Sequence, residues 1–520
     1  MNKYPGIQRY KILWVDDEID LLKPYIIFLE EKNYDVISFS NPFLIIEYLE
    51  NNKDYNLILV DENMPGKTGI SLISDIKKIT NSTPIIMVTK NEEEDIMNDA
   101  IGSEISDYLI KPLNPNQLLI SIKKVLENHK IINNKLKSDF TNFFSELSDN
   151  INYNKSHDDW TKTYKKIIDW EISLDKRGDN QINEMVYSQK KEANRRFSDF
   201  IKKNYSEWSL NNNGPTMSHT LLKEKVFPYL NKEKVFFIVL DNFRYDQWKV
   251  LEEYISNYFF ISKEDSFYSI LPTTTEYSRN SIFSGLNPKD MKSLEFDLWS
   301  DKSDGLNNNE YRFLTKNLTR NGYDINHSYN KIISYEDGVK FIKNIKNLDS
   351  YELSSVVFNF IDMLSHSKND SKILKNLVYD EKSFRSITLS WFKNSPFNEL
   401  LKILSTKKVK IFLTTDHGTI KVDEPIKIKA NKEVNNNMRF KFGKNINTEN
   451  KEVYISENGE DMMLPKENIF TKYIFACNNQ YLLYPNNYNF HQKKFKNTFQ
   501  HGGISMEEMI VPFIELSPKI

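Results

Sequence analysis

A chain of 520 residues exceeds what one ordinary hydrophobic core accommodates and predicts two to four domains. With 70 Lys+Arg against 72 Asp+Glu the net charge is -2, so neither a global basic field for duplex nucleic acid nor an acidic tail is present. The single cysteine, Cys477, excludes an internal disulfide and a cysteine zinc cluster. Apolar runs such as residues 235–240 are strand-sized and too short to cross a bilayer, and the polar start does not read as a signal peptide. The expected location is therefore cytoplasmic.

Residues 10–125 alternate short apolar runs with amphipathic segments. Runs at 12–15, 36–39, 57–60, 85–88 and 108–110 predict five buried strands, and 19–31 and 44–51 have helical spacing. That rhythm predicts a doubly wound five-stranded parallel sheet with its site at the carboxyl ends of the strands. Pro24 is compatible with the first helix only in its first turn. Asp16 and Asp17 follow the first run, Asp61 the third, Thr89 the fourth and Lys111 the fifth. Three carboxylates at neighbouring strand ends repel one another unless a divalent cation holds them, and hard oxygen ligands suit magnesium. Lys111 supplies a compact positive charge for a phosphoryl group.

With the patterns Asp61-Glu62-Asn63-Met64-Pro65-Gly66 and Tyr108-Leu109-Ile110-Lys111-Pro112, this segment resembles the receiver domain of two-component response regulators. The resemblance covers residues 1–125. It implies phosphorylation of Asp61 by a sensor histidine kinase, Mg2+ held by Asp16, Asp17 and the Asn63 backbone, and a switch built from Thr89, Tyr108 and Lys111.

Residues 126–215 are charged and helical, with Trp160, Tyr164, Ile167, Ile168, Phe197, Phe200 and Ile201 at helical spacing over 158–187 and 191–208. They predict a linker bundle of about three helices whose stripe serves core or dimer contacts. No recognition-helix or zinc pattern is present, and the run 211–215, Asn-Asn-Asn-Gly-Pro, predicts the next boundary.

Over 216–520 the α/β rhythm returns. The run 235–240 predicts a strand ending in Asp241, 354–361 a strand ending at Asp362 and His366, and 409–414 a strand ending in Asp416-His417-Gly418. His501-Gly502-Gly503 precedes a late apolar run at 509–514. Six nitrogen and oxygen ligands suit two borderline ions such as zinc, three ligands to each, with a position left open on both. Asp362 and His366, four apart, share one face of a helical turn. Candidate nucleophiles lie in Thr273-Thr274-Thr275, after the strand-breaking Pro272. Singly, Asp241 reads as a turn residue, the threonines as helix caps and His501 as a satisfied polar group.

In this order the residues resemble the alkaline phosphatase superfamily and, within it, the PglZ domain. A receiver joined through helices to PglZ resembles PorX-like response regulators, linked to type IX secretion in Bacteroidota. The resemblance implies one Zn2+ on Asp362, His366 and His501, a second on Asp241, Asp416 and His417, and Thr275 as the catalytic nucleophile, with Thr274 the neighbouring alternative. The implied activity is a zinc-dependent phosphodiesterase, with a homodimer forming on phosphorylation. Arg244 and Arg279, with Lys421, Lys427, Lys429, Lys432, Arg439, Lys441 and Lys444, form a candidate basic rim for short or cyclic oligonucleotides, and Phe440, Phe442 and Tyr454 are candidate base-stacking groups. Two alternatives stand beside this: a signalling adaptor whose PglZ domain binds a sigma factor or secretion components, and a phosphomonoesterase or phosphomutase.

Overall fold

In the computed structural model, strands Tyr10–Val15, Tyr34–Phe39, Leu57–Asp61, Ile85–Thr89 and Asp107–Ile110 pair in parallel in the order second, first, third, fourth, fifth. The structure describes residues 9–80, 83–90, 105–177, 180–211, 213–295, 297–299, 308–367, 377–430, 435–466, 468 and 470–519, and within them not the side chains of 127–139, 176–177, 180–181, 348 and 366–367. Two compact units emerge, Met1–Phe143 and Phe144–Ile520.

The pleat explains the first unit. Leu13, Val15, Ile58, Val60, Ile85 and Met87 enter one core, while Ile12, Trp14, Leu57, Leu59, Ile86 and Val88 enter another. Both faces are therefore buried, as a parallel sheet covered by helices on both sides requires. Pro24 lies in the first turn of helix Lys23–Glu31, where a missing N–H costs nothing. The helix Pro115–Tyr153 follows the last strand.

In the second unit, His157–Arg177 and Asn180–Asn211 form the helical linker. The second of these helices begins at Asn180, some ten residues before the position the spacing predicts. Trp160 meets Phe197 edge-on at 5.6 Å, so the aromatic stripe serves the core. The remainder builds a six-stranded sheet in the order His327–Ile332, Leu353–Phe358, Val235–Leu240, Lys410–Thr414, Ile510–Pro518, Phe259–Tyr268. The first four strands run parallel, and Ile510–Pro518 is antiparallel to both its neighbours.

Leu353–Phe358 is shorter than the predicted strand. It stops before Asn359, and the helix Phe360–Ser367 puts Asp362 in its first turn. The parallel strands all deliver their carboxyl ends to one edge, and that edge collects the acidic residues. Among the described residues, no helix is long and apolar enough to cross a membrane.

Candidate active site and phosphorylation site

At the sheet edge of the first unit, Asp16, Asp17 and Asp61 each offer a carboxylate oxygen within 4.8 Å of the others. Lys111 Nζ lies 2.7 Å from Asp16 Oδ2 and 2.7 Å from Asp61 Oδ1. The Asn63 amide donates to Asp61 Oδ2 at 3.1 Å. Burial raises the Asp61 carboxyl above its usual range, against the hydrogen bond from Lys111. Thr89 donates its hydroxyl to Glu62, and Tyr108 is half-buried against the core that holds Met87. Three hard oxygen donors at the ends of two neighbouring strands, one of them exposed, fit a divalent cation.

The second cluster is deeper. Val235–Leu240 is wholly buried, and Asp241 ends it. Lys410–Thr414 ends one residue before Thr415, Asp416 and His417, all fully buried. Asp241, Asp416 and His417 each present one ligand atom within 4.8 Å of the others, and His417 Nε2 lies 3.9 Å from both Asp241 Oδ1 and Asp416 Oδ2.

Three features fit this trio to a metal ion. His417 Nδ1 lies 3.1 Å from the Gly418 carbonyl, which makes it the N–H donor and leaves the Nε2 lone pair facing the carboxylates. Asp416 Oδ1 accepts the amides of His417 at 3.0 Å and Asn242 at 3.3 Å, while its buried Oδ2 has no hydrogen-bond partner among the described residues. Burial, opposed by Arg279, pushes Asp241 up to about 8, and burial raises Asp416 as well. Each is the signature of a carboxylate awaiting compensating charge.

Asp362 and His501 stand alongside. His501 Nε2 is 3.6 Å from Asp362 Oδ1, and its Nδ1 lies 3.3 Å from the Thr273 carbonyl. The imidazoles of His417 and His501 stack with centroids 4.4 Å apart, so the two groups are contiguous. The side chain of His366 lies outside the described residues.

The Thr275 hydroxyl lies 3.1 Å from His417 Nε2 and 3.4 Å from Asp241 Oδ1. Thr274 is different. It is fully buried in extended backbone, and its carbonyl accepts the Tyr277 and Ser278 amides, so it caps the helical turn that Thr275 begins.

Two arginines expected at a substrate rim are structural. Arg244 is fully buried, bound to Asp246 at 2.6 Å, to Glu381 and to the Thr419 carbonyl, and packed on Phe384 and Phe499. Arg279 donates to Asp241 Oδ2 at 2.7 Å and to Glu310 at 3.1 Å, and lies 3.8 Å from Asp416 Oδ2. It orients the Asp241 carboxylate and is itself sealed from solvent.

Of the other rim candidates, Arg439 and Lys441 are buried as well. Arg439 is buried against Glu508, Lys441 donates to Asn435, Lys421 to Tyr379, and Lys429 pairs with Glu449. Lys427 and Lys444 lie over the rings of Tyr488 and Phe470, and Lys432 is outside the described residues. Phe440 and Phe442 are buried, Phe440 against Tyr277, and the half-buried Tyr454 lies by Phe475. Neither phenylalanine is an open stacking platform.

Sequence reasoning misses Asn242 and Asn359. Asn359 donates to Asp241 Oδ2 at 2.9 Å. Asn242, at φ 62°, donates its amide to Asp416 and its Nδ2 to Asp362 at 3.2 Å and Ser365 at 3.1 Å. An Asn directly after a strand-terminal Asp is a signal for such a left-handed turn.

The family model for the BREX system PglZ alkaline phosphatase-like domain matches residues 221–516, more than half of the chain. The chain belongs to the PglZ family. Ahead of the PglZ domain, the model of the PorX response regulator linker domain matches 130–209 and that of the response regulator receiver domain matches 12–123. Receiver, linker and PglZ domain in this order are the layout of a PorX-like response regulator, and a receiver implies a histidine kinase partner. Both domain types are ones that bind divalent metals.

The two curated relatives described next each cover 22–23% of this chain. The phosphoglycerate transport system transcriptional regulatory protein PgtA of Salmonella typhimurium is 31% identical over 121 residues, 23% of this chain and 29% of that protein. The transcriptional regulatory protein ResD of Bacillus subtilis is 36% identical over 117 residues, 22% of this chain and 48% of that protein. The chain thus spans less than half the length of these relatives. Among solved structures, the CheY-like receiver domain protein from Methanospirillum hungatei is 28% identical, covering 23% of this chain and 96% of that one at a TM-score of 0.22. The receiver domain protein from Clostridium thermocellum is 27% identical, covering 24% and 98% at 0.23.

Proposed function

We propose that this response regulator is a metal-dependent phosphodiesterase with Thr275 as nucleophile, organised as receiver 1–125, linker 126–215 and PglZ domain 216–520. The observation that carries the reading is the Thr275 hydroxyl within 3.5 Å of both Asp241 and His417. Asp241, Asp416 and His417 hold one Zn2+, and Asp362 and His501, with His366, hold the other. Bound there, two divalent ions supply positive charge for the nucleophile and for the anionic oxygens of the transferred group.

The chain's own contribution is placement. Arg279 and Asn359 clamp Asp241, Asn242 and the His417 amide clamp Asp416, and each carboxylate keeps one oxygen for the centre. Thr275 Oγ gives its proton to solvent water, forms a bond to phosphorus, and the P–O bond to the leaving alkoxide breaks. The alkoxide takes a proton from water, and a second water hydrolyses the phosphothreonine, restoring the hydroxyl. A threonine nucleophile favours diesters by resemblance, and cyclic or short linear oligonucleotides are the class to test first.

In the receiver, a sensor histidine kinase phosphorylates Asp61 with Mg2+ on Asp16 and Asp17, and phosphorylation favours a homodimer. The PorX-type linker supports a role in regulating type IX secretion, in which the same chain also contacts a sigma factor or secretion components.

The test is hydrolysis of bis-(nitrophenyl) phosphate and of short oligonucleotides by the zinc-loaded chain, with and without beryllofluoride. Turnover that survives Thr275→Val removes the nucleophile assignment. Preference for a terminal phosphate moves the reading to a phosphomonoesterase, and a chain that binds no zinc is an adaptor.

A further inference from the structure

Helix Asn180–Asn211 carries Lys190, Asn194 and Ser198 four residues apart, hence in one stripe, and all three are buried at 5%, 1% and 1% exposure. The stripe meets the segment 504–507. Asn194 Oδ1 accepts the Met506 amide at 2.8 Å, and its Nδ2 donates to Glu507 Oε2 at 2.9 Å. Lys190 Nζ lies 3.1 Å from Glu507 Oε1 and 3.1 Å from Glu171 Oε1 on the other linker helix. Ser198 Oγ reaches the Ile504 carbonyl at 3.5 Å.

The opposite side of the same segment faces the ligand loops. The Gly418 amide donates to the Glu508 carbonyl at 3.1 Å, and a Cβ on Gly418 would stand 2.0 Å from the Glu507 carbonyl. The backbone beside His417 is therefore packed directly on the backbone of the residue that Lys190 and Asn194 hold. Toward its start, the Gly503 amide donates to Glu508 Oε1 at 2.8 Å, the Gly502 amide to Thr273 Oγ1 at 3.0 Å, and His501 comes next. One short segment thus lies between the linker helix on one side and His417, His501 and the threonine run on the other.

A stripe of this kind is an unusual choice for a packing face. A lysine taken out of water needs both carboxylates to offset its desolvation, and well-packed apolar residues would stabilise the contact at least as well. The best-attested use of such a buried pair is to specify register between elements.

We infer that Lys190, Asn194 and Ser198 are positioning residues of the metal centre, through which the linker helix sets the loops that carry His417 and His501. The inference rests on the metal-site reading above and adds to it the element through which the centre can be controlled. Whatever shifts this helix along its axis displaces segment 504–507 and both histidine loops with it. By linkage, an ion that binds those loops holds the helix in turn.

The experiment is hydrogen exchange on the full chain with and without Zn2+, with zinc affinity measured on Lys190→Met/Glu507→Gln and, separately, Asn194→Ala. Zinc is expected to slow exchange of the 186–200 amides in the wild-type chain by about tenfold, and each folded variant is expected to bind zinc about tenfold more weakly, the same coupling read from either end. Zinc that protects 236–242 and 411–418 while leaving 186–200 unchanged overturns the inference and leaves the metal site standing, as does unaltered affinity in the variants. If the double variant does not fold, the wild-type exchange pattern decides alone. Absence of zinc binding overturns the metal-site reading and this inference together.

Discussion

The Thr275 hydroxyl oxygen stands 3.1 Å from Nε2 of His417, the nitrogen left unprotonated because Nδ1 serves the Gly418 carbonyl. A hydroxyl so placed is ready to share an ion with that imidazole, whereas Thr274, one residue earlier, caps the turn with its carbonyl. Thr275→Ser should retain hydrolysis to within about tenfold, and Thr275→Val should lose at least about three orders of magnitude, as removal of a nucleophile does. Thr274→Val should stay near wild type. Diester hydrolysis under saturating zinc checks all three, and an inactive Thr274→Val with an active Thr275→Val would exchange the roles.

Asn242 bridges Asp416 and Asp362, through its amide to the first and its Nδ2 to the second. Glycine retains the left-handed backbone at φ 62° while deleting the side chain, so Asn242→Gly removes the bonds to Asp362 and Ser365 and keeps the amide bond to Asp416. A hydrogen bond to a charged group contributes roughly 1.5–3 kcal/mol, which is about tenfold or more in affinity. The second equivalent of zinc should weaken by that factor while the first, on Asp241, Asp416 and His417, is retained. Isothermal titration with zinc reads the two equivalents separately, and equal weakening of both would count against the bridging role.

Phosphorylation and hydrolysis should separate cleanly, because Asp16, Asp17 and Asp61 share no residue with the trio Asp241, Asp416 and His417. His417→Ala should lose one equivalent of zinc and the hydrolysis while incorporating phosphoryl groups from acetyl phosphate and Mg2+ as the wild type does. Asp61→Asn should do the reverse, with no incorporation and zinc content unchanged. Phosphate-affinity electrophoresis and metal analysis of the same preparations give both readouts, and loss of incorporation in His417→Ala would contradict the separation.

How far the residues alone reach follows from the range of the forces involved. A parallel strand buried on both faces is an apolar run that stops abruptly, so Val235–Leu240 before Asp241 and Leu57–Asp61 are visible locally. Ligands at strand ends inherit that visibility. Arg244 and Arg279 do not, because whether a guanidinium faces solvent depends on partners far along the chain. Glu381 lies 137 residues from Arg244 and Glu310 lies 31 from Arg279, and neither pairing has a periodicity to betray it. The linker stripe is hidden for another reason: Lys190, Asn194 and Ser198 look like a solvated face until the segment 504–507 is folded against them.

A last prediction concerns stability against pH. His219 is 8% exposed, and burial pulls its imidazole from 6.5 down to about 4, outweighing the nearby Glu224 carboxylate that favours the charged form. Between those two values the unfolded chain binds a proton that the folded chain does not, so stability falls as pH falls through this window. The contribution is fully present above about pH 6.5 and lost progressively toward pH 4, amounting to about 2 kcal/mol by pH 5. Urea unfolding of the wild-type chain between pH 7.5 and pH 5 should therefore show a drop about 2 kcal/mol larger than that of His219→Gln, which keeps a polar group there but cannot titrate. If the two chains lose stability in parallel over that range, His219 is not the group that takes up the proton.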